Sequence, residues 1–385
     1  MRELVLRKNH AKTLAVSKVQ SHSAIDAVSR PTPNGEPTQR NDEEAMLARI
    51  VSHCMEFKGA ELSRSVRQLA LNFSLFAAAI IAMYASFYAG AFWLTALLAI
   101  PTGGLLVRLF IIQHDCGHGS YFKSKRANHI VGWAISLLTV TPYGFWRDAH
   151  NRHHASSGNL AKRGMGAVDT LTVDEFQRLT SMNRKFYKFY RHPLTLFIFG
   201  PPFYFMVLQR FPISGAMPYT EVYHGMKGRR IWQSVLLLNI GLVLFYGLIG
   251  SLLGFGATAA VFLPVISVAA IAGSWLFFVQ HQYENSYWAE QPEWDYNKAA
   301  IFGSSHYKLP AVFQWFTGNI GLHHIHHLCS LIPNYKLQEC YNASADLKKL
   351  PEMNFADSLK CSKLALWDRA QRKLISFREA KAIAA

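Results

Sequence analysis

The sequence predicts an all-α integral membrane protein with four transmembrane helices arranged as two hairpins. Three observations carry that prediction. No Asp, Glu, Lys or Arg occurs from Gln68 to Val107, and none occurs from Ile231 to His281. One crossing takes about 20 apolar residues, so each block is long enough to cross twice; core helices of a soluble protein would keep a charged face. The formal net charge is +16, and basic residues such as Lys123, Arg126, Arg147, Arg152, Arg184 and Arg230 gather between the blocks. The short links inside the hairpins, near Ala89–Ala91 and Gly250–Gly256, carry no charge. By the positive-inside rule the middle segment is cytoplasmic and the hairpin tips face the other side.

Each element follows in order. Residues 1–45 include "SRPTPNGEPTQRNDEE", rich in Pro, Asn and charge, the composition of a disordered tail. The opening "MRELVLRKNHAK" lacks the apolar centre of a secretory signal. Residues 46–67 read as a helix leading into the membrane, and the main domain spans 46–345. The crossings fall at about 68–88, 91–112, 231–253 and 258–280. Two further apolar stretches, 129–145 and 193–211, are too short or too broken (Pro201–Pro202) for a comfortable crossing. The last segment, 346–385, ends in the basic "LWDRAQRKLISFREAKAIAA" and reads as a cytoplasmic surface helix.

The histidines set the function. The chain has 17, and they cluster. His114 and His118 are spaced i, i+4. His150, His153 and His154 are spaced i, i+3, i+4, and His323, His326 and His327 repeat that spacing inside "GLHHIHHL". These offsets share one helical face, so each cluster aims two or three imidazoles at one point. Imidazole suits iron, zinc, copper or nickel, so ligand type alone does not choose the metal. Eight box histidines exceed the four ligands of a tetrahedral zinc site; two ions of higher coordination number would use them. His281, at the end of the last span, is a ninth candidate. His324 points away from His323 by about 100° on a helix and is left out. His10, His22, His53, His129, His192, His224 and His306 have no partner at ligand spacing and read as surface or interface histidines. All the clusters share one side of the membrane only if each hairpin crosses twice and both short apolar stretches lie in the interface.

Other classes fit less well. The five cysteines form no CxxC pair and no iron–sulfur framework; they read as free thiols in a reducing compartment. No nucleic-acid motif accompanies the basic charge, which suits anionic lipid headgroups. A metal transporter would carry histidines inside its spans. Both uncharged blocks lack them until His281.

The clusters resemble the three histidine boxes of the membrane fatty acid desaturases. "HDCGHGSYF", "PYGFWRDAHNRHHASSGNL", "FVQHQYENSYW" and "GSSHYKLPAVFQWFTGNIGLHHIHHLCSLIPNY" are similar to the acyl-lipid branch, in particular its bacterial members, over about residues 60–345. The resemblance implies four transmembrane helices as a stem and a cytoplasmic helical cap holding a di-iron centre. It places the ligands on His114, His118, His150, His153, His154, His281, His323, His326 and His327. It implies an O2-dependent reaction that turns two neighbouring methylenes of a membrane glycerolipid acyl chain into a cis alkene. That implies location in a bacterial inner membrane with the site on the cytoplasmic face. The first box has three residues between its histidines, as in acyl-lipid members. Where the acyl-CoA branch has an Asn one helical turn before the His281 position, this chain has Phe277, so that residue's role is not carried over. No HPGG haem motif occurs, which points to a separate electron donor, ferredoxin or similar with its reductase.

The residues around the boxes complete the reading. An unactivated methylene offers no acidic proton and no leaving group, so the chemistry belongs to the metals. The protein's part is to hold one pair of carbons at them. Asp115, Asp148 and Glu284 are carboxylates that could each accept a histidine N–H and fix its tautomer. Tyr143, Trp146, Trp315 and Phe316 adjoin the boxes and are candidates to line an acyl tunnel. Hydroxylation of an alkane, acyl chain or carotenoid by the same machinery is the second reading. For the double bond the expectation leans to Δ12 (ω-6), with Δ5 as the rival.

Overall fold

The computed structural model describes residues 37–163, 168–211 and 228–383. The chain enters on α1 (Pro37–Glu56) and forms the first hairpin from α2 (Leu62–Tyr88) and α3 (Phe92–His118). Next come α4 (Lys125–Thr139), α5 (Tyr143–Ser156), β1 (Leu171–Thr172), α6 (Val173–Arg178) and α7 (Ser181–Tyr190). A π-helical stretch (Leu194–Phe199), α8 (Gly200–Met206) and a 3-10 turn (Leu208–Arg210) follow. The second hairpin is α9 (Arg229–Leu253) and α10 (Phe255–His281). The C-terminal third holds α11 (Tyr296–Phe302), β2 (His306–Tyr307), α12 (Ala311–Phe316), α13 (His323–Leu328) and α14 (Asn334–Ala343). It ends with β3 (Glu352–Met353), α15 (Phe355–Cys361), β4 (Leu364–Asp368), β5 (Lys373–Ser376) and α16 (Phe377–Ile383). Residues Ala45–Ala385 form one compact unit.

Among the described residues, α2, α3, α9 and α10 are the helices long and apolar enough to cross a membrane. Three of them have 27 residues, about 40 Å at 1.5 Å per residue, against a hydrocarbon thickness of about 30 Å. The surplus of about two turns carries α3 and α10 beyond the lipid, and their last residues bear His114, His118 and His281. α3 is the central span, 56% buried in its apolar window, whereas α9 is 17% buried and turns Leu236, Ile240, Val243 and Leu244 outward. That exposure is what a lipid-facing helix requires. The far ends of the hairpins are tied by Tyr84, whose hydroxyl meets Thr258 Oγ1 at 2.9 Å. The one charge well inside a span, Arg108, is matched: Nε donates to Asn72 Oδ1 at 2.9 Å and the guanidinium lies 4.2 Å from the Trp315 ring. The stretches 129–145 and 193–211 form short helices and turns, not spans.

Three expectations are corrected. Helix α1 begins inside the segment read as a tail, because Leu47, Ile50 and Cys54 recur at helical spacing and are buried; residues 1–36 lie outside the described residues. The helix expected over 46–67 is broken at 57–61, where the Gly59 amide donates to Leu331 O at 3.0 Å instead of continuing a helical ladder. The C-terminal stretch is not one surface helix. β4 and β5 form an antiparallel hairpin, and β4 also pairs in parallel with β1. The turn is made by Asp368, whose carboxylate accepts from the amides of Ala370 and Gln371 at 2.8 and 3.1 Å. Trp367 and Leu374 are thereby buried, with Trp367 stacked on Trp288 at 5.3 Å. All five cysteines are free and buried.

Candidate metal centre

The eight histidines singled out by spacing, and His281, come from four elements. α3 ends on His118 because Gly119 takes a left-handed conformation at φ 73°, open to glycine, which stops the helix and leaves His114 and His118 on its last turns. α5 presents His150, His153 and His154, α10 presents His281, and α13 presents His323, His326 and His327.

They gather as two groups. The ligand atoms of His114, His118, His150, His154 and His326 all lie within 4.8 Å of one another, as do those of His153, His281 and His327. His323 joins the second group, its Nε2 being 3.0 Å from that of His281. The groups touch: the His154 and His327 rings stack at 4.0 Å. Four Nε2–Nε2 separations, His153–His281, His150–His154, His154–His326 and His281–His323, are 3.0–3.1 Å. Imidazole nitrogens bound about 2.1 Å from one shared ion at an angle near 90° stand about 3 Å apart. Among the described residues His118 Nε2 and His327 Nε2 have no hydrogen-bond partner although buried. An all-imidazole donor set with these spacings fits two transition-metal ions.

Electrostatics agrees. Burial first, and then the neighbouring histidines, hold His150, His153, His154, His323, His326 and His327 well below the usual imidazole range. They are neutral, the form that ligates. In the metal-free protein these groups stay neutral where the unfolded chain, with an ordinary value near 6.5, takes up protons. The unfolded state thus binds more protons below about pH 6.5, so stability falls as pH drops through that value. The expected result is a melting temperature of the metal-free protein that is level above about pH 7 and declines below about pH 6.5.

The carboxylates divide. Asp115 is buried; its Oδ1 is 3.1 Å from His114 Nδ1, and its Oδ2 accepts from Asn334 N at 2.7 Å and Asn334 Nδ2 at 2.8 Å. Asn334 is held in turn by Gln68, whose Nε2 donates to its Oδ1 at 2.7 Å. Asp148 instead pairs with Arg147 at 3.0 Å in solvent, and Glu284 pairs with Lys373 at 3.2 Å on the surface. Both carboxylates are half exposed and paired with cations, so neither orients a histidine. Sequence reading missed Asn334 and the Gly303 carbonyl, which lies 3.2 Å from His281 Nδ1; neither residue type carries a ligand signal. Phe277 covers the second group, 5.2 Å from the His153 ring and 5.4 Å from the His281 ring.

His324 belongs to neither group. It is buried, and burial pushes it down to about 3. Its ring lies 5.4 Å from that of His306, which is also buried, in place of the surface or interface position expected for it. His53 Nε2 lies 2.9 Å from Cys340 O.

A cavity of about 980 Å³ opens onto His114, His150 and His323. Its walls are apolar, including Leu106, Phe110, Trp146, Ala269 and Gly273. Of the four aromatics proposed as tunnel lining, Trp146 lies on the cavity and stacks on His150 at 4.8 Å. Tyr143 packs on Gly132, Phe316 on Gly104, and Trp315 under Arg108. Those three are drawn away by packing partners that sequence adjacency does not reveal.

Gly321 seats the last histidine cluster. A Cβ there would stand 2.3 Å from Tyr307 O, at the point where Tyr307 N donates to Gly321 O at 2.7 Å. Gly321→Ala is expected to cost about 1–3 kcal/mol by overpacking, to displace His323, and to lower the metal content of purified protein.

The fold and site together define a class, the integral membrane proteins built around histidine clusters able to hold metal. Within it the chain belongs to the fatty acid desaturase family, whose model matches residues 91–356. A fatty acid desaturase of Bacillus subtilis is 39% identical over 290 residues, covering 75% of this chain and 79% of that protein. An endoplasmic-reticulum omega-3 fatty acid desaturase of Vigna radiata is 29% identical over 310 residues, covering 76% and 74%. The sn-1 acyl-lipid omega-3 desaturase (ferredoxin) of a Synechocystis species is 25% identical over 277 residues, covering 68% and 72%. The protein is an oxidoreductase, a fatty acid desaturase by family.

Proposed function

We propose that the protein inserts a cis double bond into the acyl chain of a membrane glycerolipid, at Δ12 (ω-6) rather than Δ5, using two irons and O2. The observation that carries this reading is the apolar cavity of about 980 Å³ ending on both histidine groups. When bound, the iron pair supplies the oxidising power that an unactivated C–H bond requires. The chain's own residues do the rest. The five-histidine group and the group of His153, His281, His323 and His327 hold the ions. Asp115 and the Gly303 carbonyl fix ring orientations. Trp146 and Phe277 keep water from the ligands, and the apolar walls hold one stretch of chain against them. The histidine-bearing ends face the cytoplasm of a bacterial inner membrane, in keeping with the basic middle segment.

Electrons come from a separate carrier of ferredoxin type, as the name of the Synechocystis relative suggests. Lys162 and Arg163 line a small cleft beside His153 and His281, a basic edge in keeping with an acidic redox partner.

The test is expression in a bacterium lacking polyunsaturated lipids, with mass spectrometry of the membrane fatty acids. A new alkene present only with intact His326 supports the reading, and its position decides between Δ12, Δ5 and the omega-3 position named for the relatives. Hydroxylated chains in its place would overturn desaturation.

A further inference from the structure

The cavity has a mouth, and one polar side chain stands at it unused. Phe199 and Phe203 line the cavity and are 69% and 53% exposed, so the apolar space reaches the surface along the π-helical stretch and α8. Beside them the 3-10 turn places Gln209 on the cavity wall, 3% exposed. Three other polar groups on the wall are engaged. The Thr139 hydroxyl donates to Gln113 Oε1 at 2.7 Å, the Thr141 hydroxyl to Thr139 O at 3.0 Å, and Gln280 Nε2 to Ile320 O at 2.9 Å. Gln209 Oε1 is buried with no donor, and no hydrogen bond of its side chain occurs among the described residues. Its Nε2, unlike Oε1, is not among the fully buried unpartnered atoms, so the amide N–H is the group left to meet an acceptor in the cavity.

The support is rigid. Next to Gln209, Arg210 donates to Asn239 Oδ1 at 3.1 Å and to Val140 O, and Asn239 Nδ2 returns a bond to Arg210 O at 3.1 Å. The turn is thereby pinned to the corner between α4 and α5, where Thr139 and Thr141 also line the cavity. α5 leads from that corner to the metal centre.

We propose that Gln209 donates its amide N–H to the ester carbonyl of the entering acyl chain, and so fixes the double bond by counting from the carboxyl end. This rests on the glycerolipid desaturase reading above. The ester is the polar group nearest the carbons of an acyl chain, and its carbonyl oxygen is an acceptor that an amide N–H can meet. Gln209 is a positioning residue; it touches the substrate far from the reacting carbons.

The test compares wild type, Gln209→Met and Gln209→Asn, each as the full iron-loaded chain in nanodiscs of diester or dialkyl-ether phosphatidylcholine with a ferredoxin and its reductase. The readouts are double-bond position and the ester-to-ether rate ratio. Wild type is expected to give one position and to favour the ester about tenfold, the worth of one hydrogen bond. Gln209→Met fills the same volume, and is expected to keep its iron, lose the ester preference and scatter the double bond over adjacent carbons. Gln209→Asn keeps an amide and is expected to recover most of the preference. Gln209→Met with unchanged position and ratio would overturn the proposal while leaving the desaturase reading intact. A wild type that forms no alkene on either lipid would overturn the desaturase reading, and this proposal with it.

Discussion

Replacing His326 by alanine is expected to abolish double-bond formation, a loss of more than about 100-fold, since disturbing even the groups that support metal ligands costs 10–100-fold. The reason lies in its position. His326 Nε2 is 3.1 Å from His154 Nε2, and its ring lies 4.4 Å from His114 and 4.9 Å from His118. It is the α13 member of the five-histidine group, joining that helix to α3 and α5. Its loss removes a ligand and leaves a buried hole beside four other imidazoles. Metal analysis checks the outcome: the variant is expected to retain the second ion in larger part than the first, because His153, His281, His323 and His327 are untouched. Full iron content with full activity would contradict the assignment of His326 as a ligand.

Asp115→Asn is expected to have the second largest effect. The carboxylate accepts on one oxygen from His114 and on the other from two N–H groups of Asn334. An Asn side chain has one acceptor oxygen and an NH2 that must face a donor at one end or the other. One buried contact becomes donor against donor. A hydrogen bond to a charged group is worth about 1.5–3 kcal/mol, so a stability loss of about 3 kcal/mol is expected, with metal affinity down 10–100-fold. Thermal unfolding and metal titration measure the two. Asp148→Asn and Glu284→Gln serve as controls. Their carboxylates are 50% and 56% exposed and paired with Arg147 and Lys373, so changes within about 0.5 kcal/mol are expected. A comparable loss in all three variants would remove Asp115 from its special role.

Much of the site was legible in the chain because its signals are local. The offsets of His150, His153 and His154 and of His323, His326 and His327 fix which rings share a face before any tertiary contact forms. The uncharged blocks, Gln68–Val107 and Ile231–His281, fix the spans for the same reason. What escaped sequence reading is nonlocal. Nothing near Asp115, Asp148 or Glu284 says which of them meets a histidine; Asp115 is chosen because α14 brings Asn334 against it across 219 residues. Tyr143, Trp146, Trp315 and Phe316 are equally close to the boxes in sequence, and packing turns only Trp146 onto the cavity. The C-terminal basic stretch has the composition of a helix, but Asp368 folds it back as a hairpin onto β1.

By itself the sequence determined that this is a four-span membrane protein with histidines enough for two metal ions, because hydropathy and helical periodicity are properties of contiguous residues. Only the tertiary structure decided how those histidines divide between two groups, which carboxylate serves them, and where the cavity opens. Those outcomes depend on which faces of α3, α5, α10 and α13 meet, and close packing between distant segments settles that.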